Sequence, residues 1–145
     1  MLDSKSILDK INKSIVDEDD INRVVEVLRS GFLSRPDGGP FVAKLQELMS
    51  KAHSMKHVFA VNSGTSALHC AVVALGLKES DEVIVPALAN IADASVVIQA
   101  GGRPVFTDID PNDLNVDCNR IEEKITEKTK AIILVHMYGQ PGKID

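Results

Sequence analysis

Short apolar runs alternate with amphipathic segments along most of the chain, and the clearest example is Val58 to Gly76. Val58 to Val61 is apolar and Asn62 to Gly64 are turn formers, so we predict a buried strand followed by a tight turn. Apolar residues then recur at helical spacing from Thr65 to Leu75. They surround this helix almost completely, as expected of an interior element, and Gly76 is predicted to end it.

The predicted helix start at Gly64 or Thr65 is a candidate anion site. The first N–H groups of a helix lack intrahelical partners, and the helix dipole places partial positive charge there. Gly64 would let an oxygen-bearing group approach the backbone closely, while Ser63, Thr65 and Ser66 could add hydroxyl donors. The alternative is an ordinary capped helix in an α/β domain, which the spacing does not exclude.

Two amphipathic helices are predicted before this region. The first follows the acidic run Asp17 to Asp20, whose charges suit the positive end of a helix, and it ends near Ser30 and Gly31. A loop follows, and Pro40 is predicted to open the second helix. Residues 1–14 carry only a weak pattern and are predicted to form a surface arm.

The alternation continues to the end of the chain, with Asp117 as the predicted cap of the last helix. The predicted elements are a strand at Glu82–Val85, a helix at Ile91–Gln99, a strand at Arg103–Ile109, a helix at Asn119–Ile125 and a strand at Ala131–Val135. Apolar strands separated by helices predict a three-layer α/β fold, a mostly parallel sheet with helices on both faces.

Ligands of such sheets bind at the carboxyl ends of the strands. Four polar segments are expected at that edge: Asn62 to Thr65, Pro86 to Asn90, Asp108 to Asp110 and His136 to Gln140. Asp108 and Asp110 could act as a general acid and base, but their place in a strand-to-turn segment favours a role in capping the turn at Pro111.

Composition narrows the classes of function. A chain of 145 residues with 44% hydrophobic content predicts one domain with a real core. The net charge of −5 leaves no basic face, so a nucleic-acid partner is not expected. Because we find no apolar run of membrane-spanning length and no leader, we expect no membrane partner and a cytoplasmic location.

The residues that could ligate metals are poorly placed for it. Cys70 and Cys118 lack metal or redox spacing and are predicted to be free thiols. His53 and His57 have the spacing of two ligands on one helical face, but the helix is predicted to end before His57. We therefore expect no metal site.

Six segments occur in a fixed order and spacing along the chain. They are DINRVVEVLRSGFLS from Asp20, SGTSAL from Ser63, DEVIVPAL from Asp81, GGRPVFTDIDP from Gly101, NVD from Asn115 and TKAIILVHMYGQP from Thr129. In this order and spacing they resemble the DegT/DnrJ/StrS family of pyridoxal-phosphate-dependent sugar aminotransferases, with its perosamine-synthase-like members most similar. The resemblance covers nearly the whole chain from about Ile15.

The resemblance implies a fold-type-I aminotransferase that moves an amino group from glutamate to a keto sugar carried on a nucleotide. The phosphate of pyridoxal phosphate would rest on the backbone N–H groups of Gly64 and Thr65, next to Ser63. Asn90 matches the position where the family usually stacks an aromatic residue on the cofactor ring, and an Asn side chain cannot supply that face. Family members are homodimers, so a homodimer is expected.

The resemblance also implies that essential chemistry lies outside this sequence. The family's Schiff-base lysine, and the carboxylate that pairs with the pyridine nitrogen, lie beyond Asp145. We therefore expect residues 15–145 to be an incomplete, N-terminal part of the large cofactor-binding domain, with no catalytic lysine and no transamination on its own.

Two other functions remain open at this point. A non-catalytic module could use the same pocket for a phosphate or nucleotide, which Asn90 and the missing lysine favour slightly. A dinucleotide-binding domain is disfavoured because the predicted strand ending at Val61 is followed by NSGTSAL and not by G-x-G-x-x-G.

Overall fold

The computed structural model describes residues 16–35 and 38–143, so the predicted arm at residues 1–14 lies outside the described residues. The chain divides into two compact units, one up to Ala60 and one from Val61 onward. No helix within the described residues is long and apolar enough to cross a bilayer.

The first unit contains the two predicted amphipathic helices, α1 (Glu18–Ser30) and α2 (Gly39–His53). Asp17 caps α1 through a reciprocal pair of bonds, because its carboxylate accepts from the Asp20 N–H at 3.0 Å and its own N–H donates to the Asp20 carboxylate at 3.2 Å. Pro40 lies in the first turn of α2, as predicted.

The second unit is an α/β arrangement around three strands. Its sheet has the order β2-β1-β3 with every pairing parallel, which confirms the predicted fold class. In chain order the elements are α3 (Gly64–Ala74), β1 (Glu82–Pro86), α4 (Ile91–Gln99), β2 (Arg103–Thr107), α5 (Cys118–Glu122), β3 (Thr129–Ile132) and a 3₁₀ turn (Met137–Gly139).

The core of this unit is centred on β1, whose five residues are all buried. Successive strand residues point to opposite faces, so Val83 and Val85 share one face. On that face they join a fully or nearly fully buried cluster with Val96 and Val97 of α4 and Val72 of α3. Ile84 is also fully buried, although it points to the other face. The central strand is therefore covered on both sides.

The first turns of α3 and α4 face the same edge of the sheet. Leu77 follows α3 and Gly102 follows α4, and a Cβ added at Gly102 would lie only 2.7 Å from Leu77 Cδ1. The carboxyl-terminal ends of the two helices therefore meet. Because the helices also pack against each other, they run in the same general direction. Since α4 begins at the carboxyl end of β1, α3 also begins at that edge.

The prediction of a buried strand at Val58–Val61 is wrong, because these residues are outside any strand and Phe59 is 83% exposed. A strand needs a neighbour that shares its backbone hydrogen bonds. Both edges of β1 are occupied by β2 and β3, and no described strand pairs with this segment. The Ala60 N–H instead donates to the Gln46 side chain at 3.0 Å.

The prediction that α3 is an interior helix is also wrong. Its bounds are close to those expected, and Gly76 adopts a left-handed φ of 65° after it. However, Val72 is its only buried residue, and the side chain of Val73 is half exposed. One face of α3 packs on the β1 core, and an apolar composition alone cannot show whether a second layer covers the other faces.

The outer strands are shorter or shifted relative to the predictions. β2 ends at Thr107, two residues early, and β3 covers Thr129–Ile132 in place of Ala131–Val135. β3 is only half-buried, because among the described residues it has a neighbouring strand on one side alone. Its last ladder bond runs from the Ile133 N–H to the Ile84 carbonyl, and Pro86 has no N–H with which to continue. The last helix is likewise shorter than predicted, although Asp117 caps it as expected.

Candidate functional site

The start of α3 leaves two backbone donors free. Ser63 is the cap, and its Oγ accepts from the Ser66 N–H at 3.1 Å, while its carbonyl accepts from the Ala67 N–H at 3.1 Å. Within the described residues, the N–H groups of Gly64 and Thr65 have no partner. The sequence predicted these two positions for anion binding, and the capping pattern isolates the same pair.

The backbone at Gly64 is also open to solvent. A Cβ added there would meet no atom within 4 Å. No acidic side chain lies in the first turn of α3, so nothing there opposes the positive end of the helix dipole. An anion can therefore approach these donors directly.

The serine hydroxyls contribute fewer free donors to the candidate anion site than the sequence predicted. Ser66 Oγ donates to Asn62 Oδ1 at 2.7 Å and lies 3.0 Å from Ser63 Oγ, so both hydroxyls are engaged in holding the turn. The Thr65 hydroxyl forms no hydrogen bond within the part of the chain that the structure describes. It remains available as a third donor beside the two N–H groups.

A second feature lies where β1 leads into α4. Asn90 caps α4, since its Oδ1 accepts from the Ala92 N–H at 2.9 Å. Beside it lies a cavity of about 160 Å³, here termed the α4 groove. The groove is lined by Val85, Pro86, Ala87, Ala89, Asn90, Ile91, Asp93, Ala94 and Phe106.

Asp93 is the ionisable residue that the sequence reasoning missed in this groove. It is only 6% exposed, and burial raises the pKa of its carboxyl, although the Asn90 backbone N–H offsets part of that rise. The available signal was an acid three positions after Asn90 in an otherwise apolar helix. Acids are common in first turns for the dipole alone, so that signal did not distinguish a groove residue from a cap.

Asp110, from the third predicted segment, stabilises a turn. The N–H and the side-chain amide of Asn112 donate to its Oδ1 at 2.9 and 2.8 Å. These bonds, followed by the Lys143 ammonium, lower the pKa of Asp110, and the ion pairs with Asp110 and Asp113 raise the pKa of Lys143. This geometry confirms the capping interpretation for Asp110.

The fourth predicted segment follows β3 and is held by a buried amide. Asn115 is 1% exposed, and its Oδ1 accepts from the Met137 N–H at 2.9 Å. His136 Nδ1 accepts from the Gly142 N–H at 3.0 Å, which places the proton of a neutral ring on Nε2. Tyr138 is 89% exposed and has a left-handed φ of 53°.

No group of three or more His, Cys, Asp or Glu side chains is arranged to hold a metal ion in residues 16–35 or 38–143. Cys70 and Cys118 are both free and exposed, in agreement with the prediction for them.

The comparison with known families decides the wider assignment. Residues 14–145 match the family described as the DegT/DnrJ/EryC1/StrS aminotransferase family. The chain belongs to this family. The resemblance seen in the sequence motifs is thereby confirmed, and the parallel sheet agrees with it.

Two relatives of the chain have names that state a product or a reaction. The GDP-perosamine synthase of Caulobacter vibrioides is 40% identical over 130 residues, which are 90% of this chain and 34% of that protein. The 3-oxo-glucose-6-phosphate:glutamate aminotransferase of Bacillus subtilis is 38% identical over 123 residues, which are 85% of this chain and 27% of that protein. The chain thus spans about a third or less of the length of these family members.

A solved structure has the same fold over nearly all of the chain. The Escherichia coli GDP-4-keto-6-deoxy-D-mannose-3-dehydratase with bound hydrated PLP matches with a TM-score of 0.80 and 32% identity, covering 90% of this chain and 34% of that one. Its name is that of a dehydratase, so membership of this structural group does not by itself fix the reaction.

Proposed function

We propose that this chain is the N-terminal part of a pyridoxal-phosphate-dependent aminotransferase that acts on a nucleotide-linked keto sugar, with glutamate as the amino donor. The observation that carries the proposal is the pair of unpaired N–H groups at Gly64 and Thr65, beside a backbone open to approach. These are the donors that a cofactor phosphate requires at a helix start.

The names of the relatives support the substrate class. One relative is named for a GDP sugar, one for a glutamate-dependent transfer to a keto sugar phosphate, and the PLP-bound structure for a keto sugar on GDP. A keto sugar that carries phosphate is common to two of these names. For this chain we propose the nucleotide-linked form.

The residues of the chain would divide the binding of the cofactor between them. The N–H groups of Gly64 and Thr65, the Thr65 hydroxyl and the turn shaped by Ser63 would hold the phosphate, and the α4 groove beside Asn90 would face the ring. When bound, pyridoxal phosphate supplies an electron sink for the carbon that gains or loses the amino group. We propose that the lysine and the ring-nitrogen carboxylate of the family are supplied outside these residues, that the chain alone does not transaminate, and that the complete enzyme is a cytoplasmic homodimer.

A second candidate is a non-catalytic module that binds a phosphate or a nucleotide at the same helix start. Asn90 favours it, because the Asn90 side chain is engaged as the cap of α4 and offers no aromatic face to a ring. Inorganic phosphate and a nucleotide would then bind with an affinity equal to that of the cofactor.

Replacing Gly64 with Val should weaken the binding of pyridoxamine phosphate by about tenfold or more, which is about 1.4 kcal/mol or more. The added side chain enters open space, so it should spare the fold while it shields the N–H donors from a phosphate. Isothermal titration calorimetry measures the affinity, and pyridoxamine phosphate avoids covalent reaction with surface lysines.

Ala67→Val is the matched control, because Ala67 is an exposed residue of α3 that lies beyond the two free donors. It should bind like the wild type. Equal affinity for the wild type and Gly64→Val would contradict the phosphate assignment, as would a wild-type chain that binds no pyridoxamine phosphate. A nucleotide that binds more tightly than pyridoxamine phosphate would favour the second candidate.

A further inference from the structure

Asp93 is buried without a positive partner. It is 6% exposed, and no ion pair reaches it within the described parts of the chain. The Asn90 backbone N–H and the positive end of the α4 dipole favour its charged form, whereas burial opposes that form. A buried carboxylate in this state destabilises the fold unless it becomes paired.

The surroundings of Asp93 suggest what pairs with it. The α4 groove that it lines has mostly apolar walls, including Val85 and Phe106, and is large enough for part of a small molecule. A ring that lay in the groove would bury its faces against these walls and bring its edge to the carboxylate. A carboxylate recognises an N–H or O–H donor on such an edge.

The groove and the free N–H groups of α3 belong to one edge of the sheet. The contact between Leu77 and Gly102 places the carboxyl-terminal ends of α3 and α4 together, so both helices begin at the carboxyl edge. A ligand with a phosphate at one end and a donor-bearing ring at the other matches this pair of features.

We propose that Asp93 accepts a hydrogen bond from a hydroxyl on the ring of the phosphate-bearing ligand. This inference rests on the proposed function, because the same ligand has its phosphate at Gly64 and Thr65. Asp93 thereby selects for the ring, whereas the start of α3 selects for the phosphate.

Asp93→Asn tests the assignment, since it keeps the size of the side chain and removes its charge. Three phosphates are compared by calorimetry with the wild type and the variant: pyridoxamine phosphate, benzyl phosphate and inorganic phosphate. Benzyl phosphate has the ring and the phosphate but no ring donor. The variant should bind pyridoxamine phosphate about tenfold or more weakly, and should bind the other two as the wild type does.

Two further ligands test the hydroxyl assignment. 3-Hydroxybenzyl phosphate carries a hydroxyl without a ring nitrogen, and pyridin-3-ylmethyl phosphate carries the nitrogen without the hydroxyl. Of these two, Asp93→Asn should weaken the binding of 3-hydroxybenzyl phosphate alone, and a loss confined to pyridin-3-ylmethyl phosphate would overturn the assignment. Glu79→Gln, the loss of an exposed acid in the same unit, is the matched control and should change none of the affinities.

The outcomes distinguish this inference from the proposed function. A wild-type chain that binds none of the phosphates overturns both. Wild-type binding of pyridoxamine phosphate that Asp93→Asn leaves unchanged overturns the Asp93 assignment alone, and so does an equal loss for benzyl phosphate, which would indicate a purely structural role. If Asp93→Asn does not fold, the affinities of the wild-type chain alone test the assignment. Equal wild-type affinity for pyridoxamine phosphate and benzyl phosphate would overturn it.

Discussion

The burial of Asp93 contributes to the pH dependence of the stability of the fold. Burial raises the pKa of its carboxyl above the ordinary value of 3.8, so the folded chain holds this proton more tightly than the unfolded chain does. Between the unfolded and the folded pKa the unfolded state binds fewer protons. The contribution of Asp93 to the free energy of unfolding therefore falls as the pH rises through this interval.

Asp93→Asn should accordingly raise the free energy of unfolding more at neutral pH than at acid pH, because it removes a charge that burial disfavours. Urea unfolding of the wild type and the variant from about pH 3 to about pH 7 measures the difference, which should grow as the pH rises past the ordinary range for Asp. Glu79→Gln, which removes an exposed acid, is the matched control for the loss of a carboxyl. A difference that stays constant with pH would show that the carboxyl does not titrate abnormally.

At the scale of single residues, the sequence predicts the roles that depend on local backbone geometry and misses those that depend on packing. Gly64 and Thr65 could be named in advance because the free donors of a helix start follow from where the helix begins. Asp93 could not, because its burial depends on the packing of α4 beside β1 and β2, which are separate in sequence. The engagement of Ser63 and Ser66 in the turn was likewise invisible, since a hydroxyl can serve either the backbone or a ligand.

Among the elements, the segment after β3 depends on one buried amide. Asn115 accepts from the Met137 N–H at 2.9 Å, and its own amide donates to the Asp113 carbonyl at 3.3 Å. A Cβ added at Gly142 would lie 3.5 Å from Asn115 Cβ, so the segment also runs close to this side chain. The turn that follows β2 and the segment that follows β3 are therefore joined through Asn115.

Asn115→Leu should lower the free energy of unfolding by about 1–3 kcal/mol, since it leaves the Met137 N–H without its acceptor. Hydrogen exchange measured by NMR should show faster exchange at Met137 than in the wild type. Asn119→Leu, at an exposed residue whose amide donates to the Asp117 carboxylate, should have the smaller effect. Unchanged exchange at Met137 in Asn115→Leu would contradict this role.

The elements that were predicted correctly are those whose neighbouring strands and helices lie within the described residues. β1 is buried on both faces, as its continuous apolar run indicated, and α4 has the predicted bounds. Val58–Val61 has an equally apolar pattern but no pairing strand in the part of the chain that the structure describes, so the same signal gave the wrong structure. The difference is tertiary: a strand forms only where a neighbour accepts its hydrogen bonds.

For the molecule as a whole, the sheet leaves the outer edges of β2 and β3 unpaired within the described residues. Large apolar side chains are exposed beside them, including Phe106 at 54% and Ile132 at 40%. Unpaired edges and exposed apolar surface both favour self-association. The net charge of −5 opposes it only weakly.

The chain should therefore self-associate in a concentration-dependent way, as measured by size-exclusion chromatography with light scattering. Ile132→Lys places a charge on β3 and should shift the distribution towards monomer. Leu28→Lys is the control, because it places the same charge at an exposed apolar residue of α1. A wild-type chain that stays monomeric at high concentration would contradict the expectation.

Family and fold class were accessible from sequence at this scale because several motifs occur in the right order, and no single motif had to be decisive. The extent of the sheet was not accessible, because pairing partners cannot be read from the strands that are present. For the same reason the sequence predicts α3 as an interior helix, although most of its surface is exposed.

Pro86 sets the length of the ladder between β1 and β3. The backbone groups of Ile84 and Pro86 point towards β3, and the Ile133 N–H donates to the Ile84 carbonyl. Pro86 keeps a carbonyl that can accept a hydrogen bond but has no N–H that can donate one, and the two strands part after the bond from Ile133 to Ile84. A missing hydrogen atom thus helps to set the point at which the chain leaves the sheet, before its Met137 N–H reaches the Asn115 side chain.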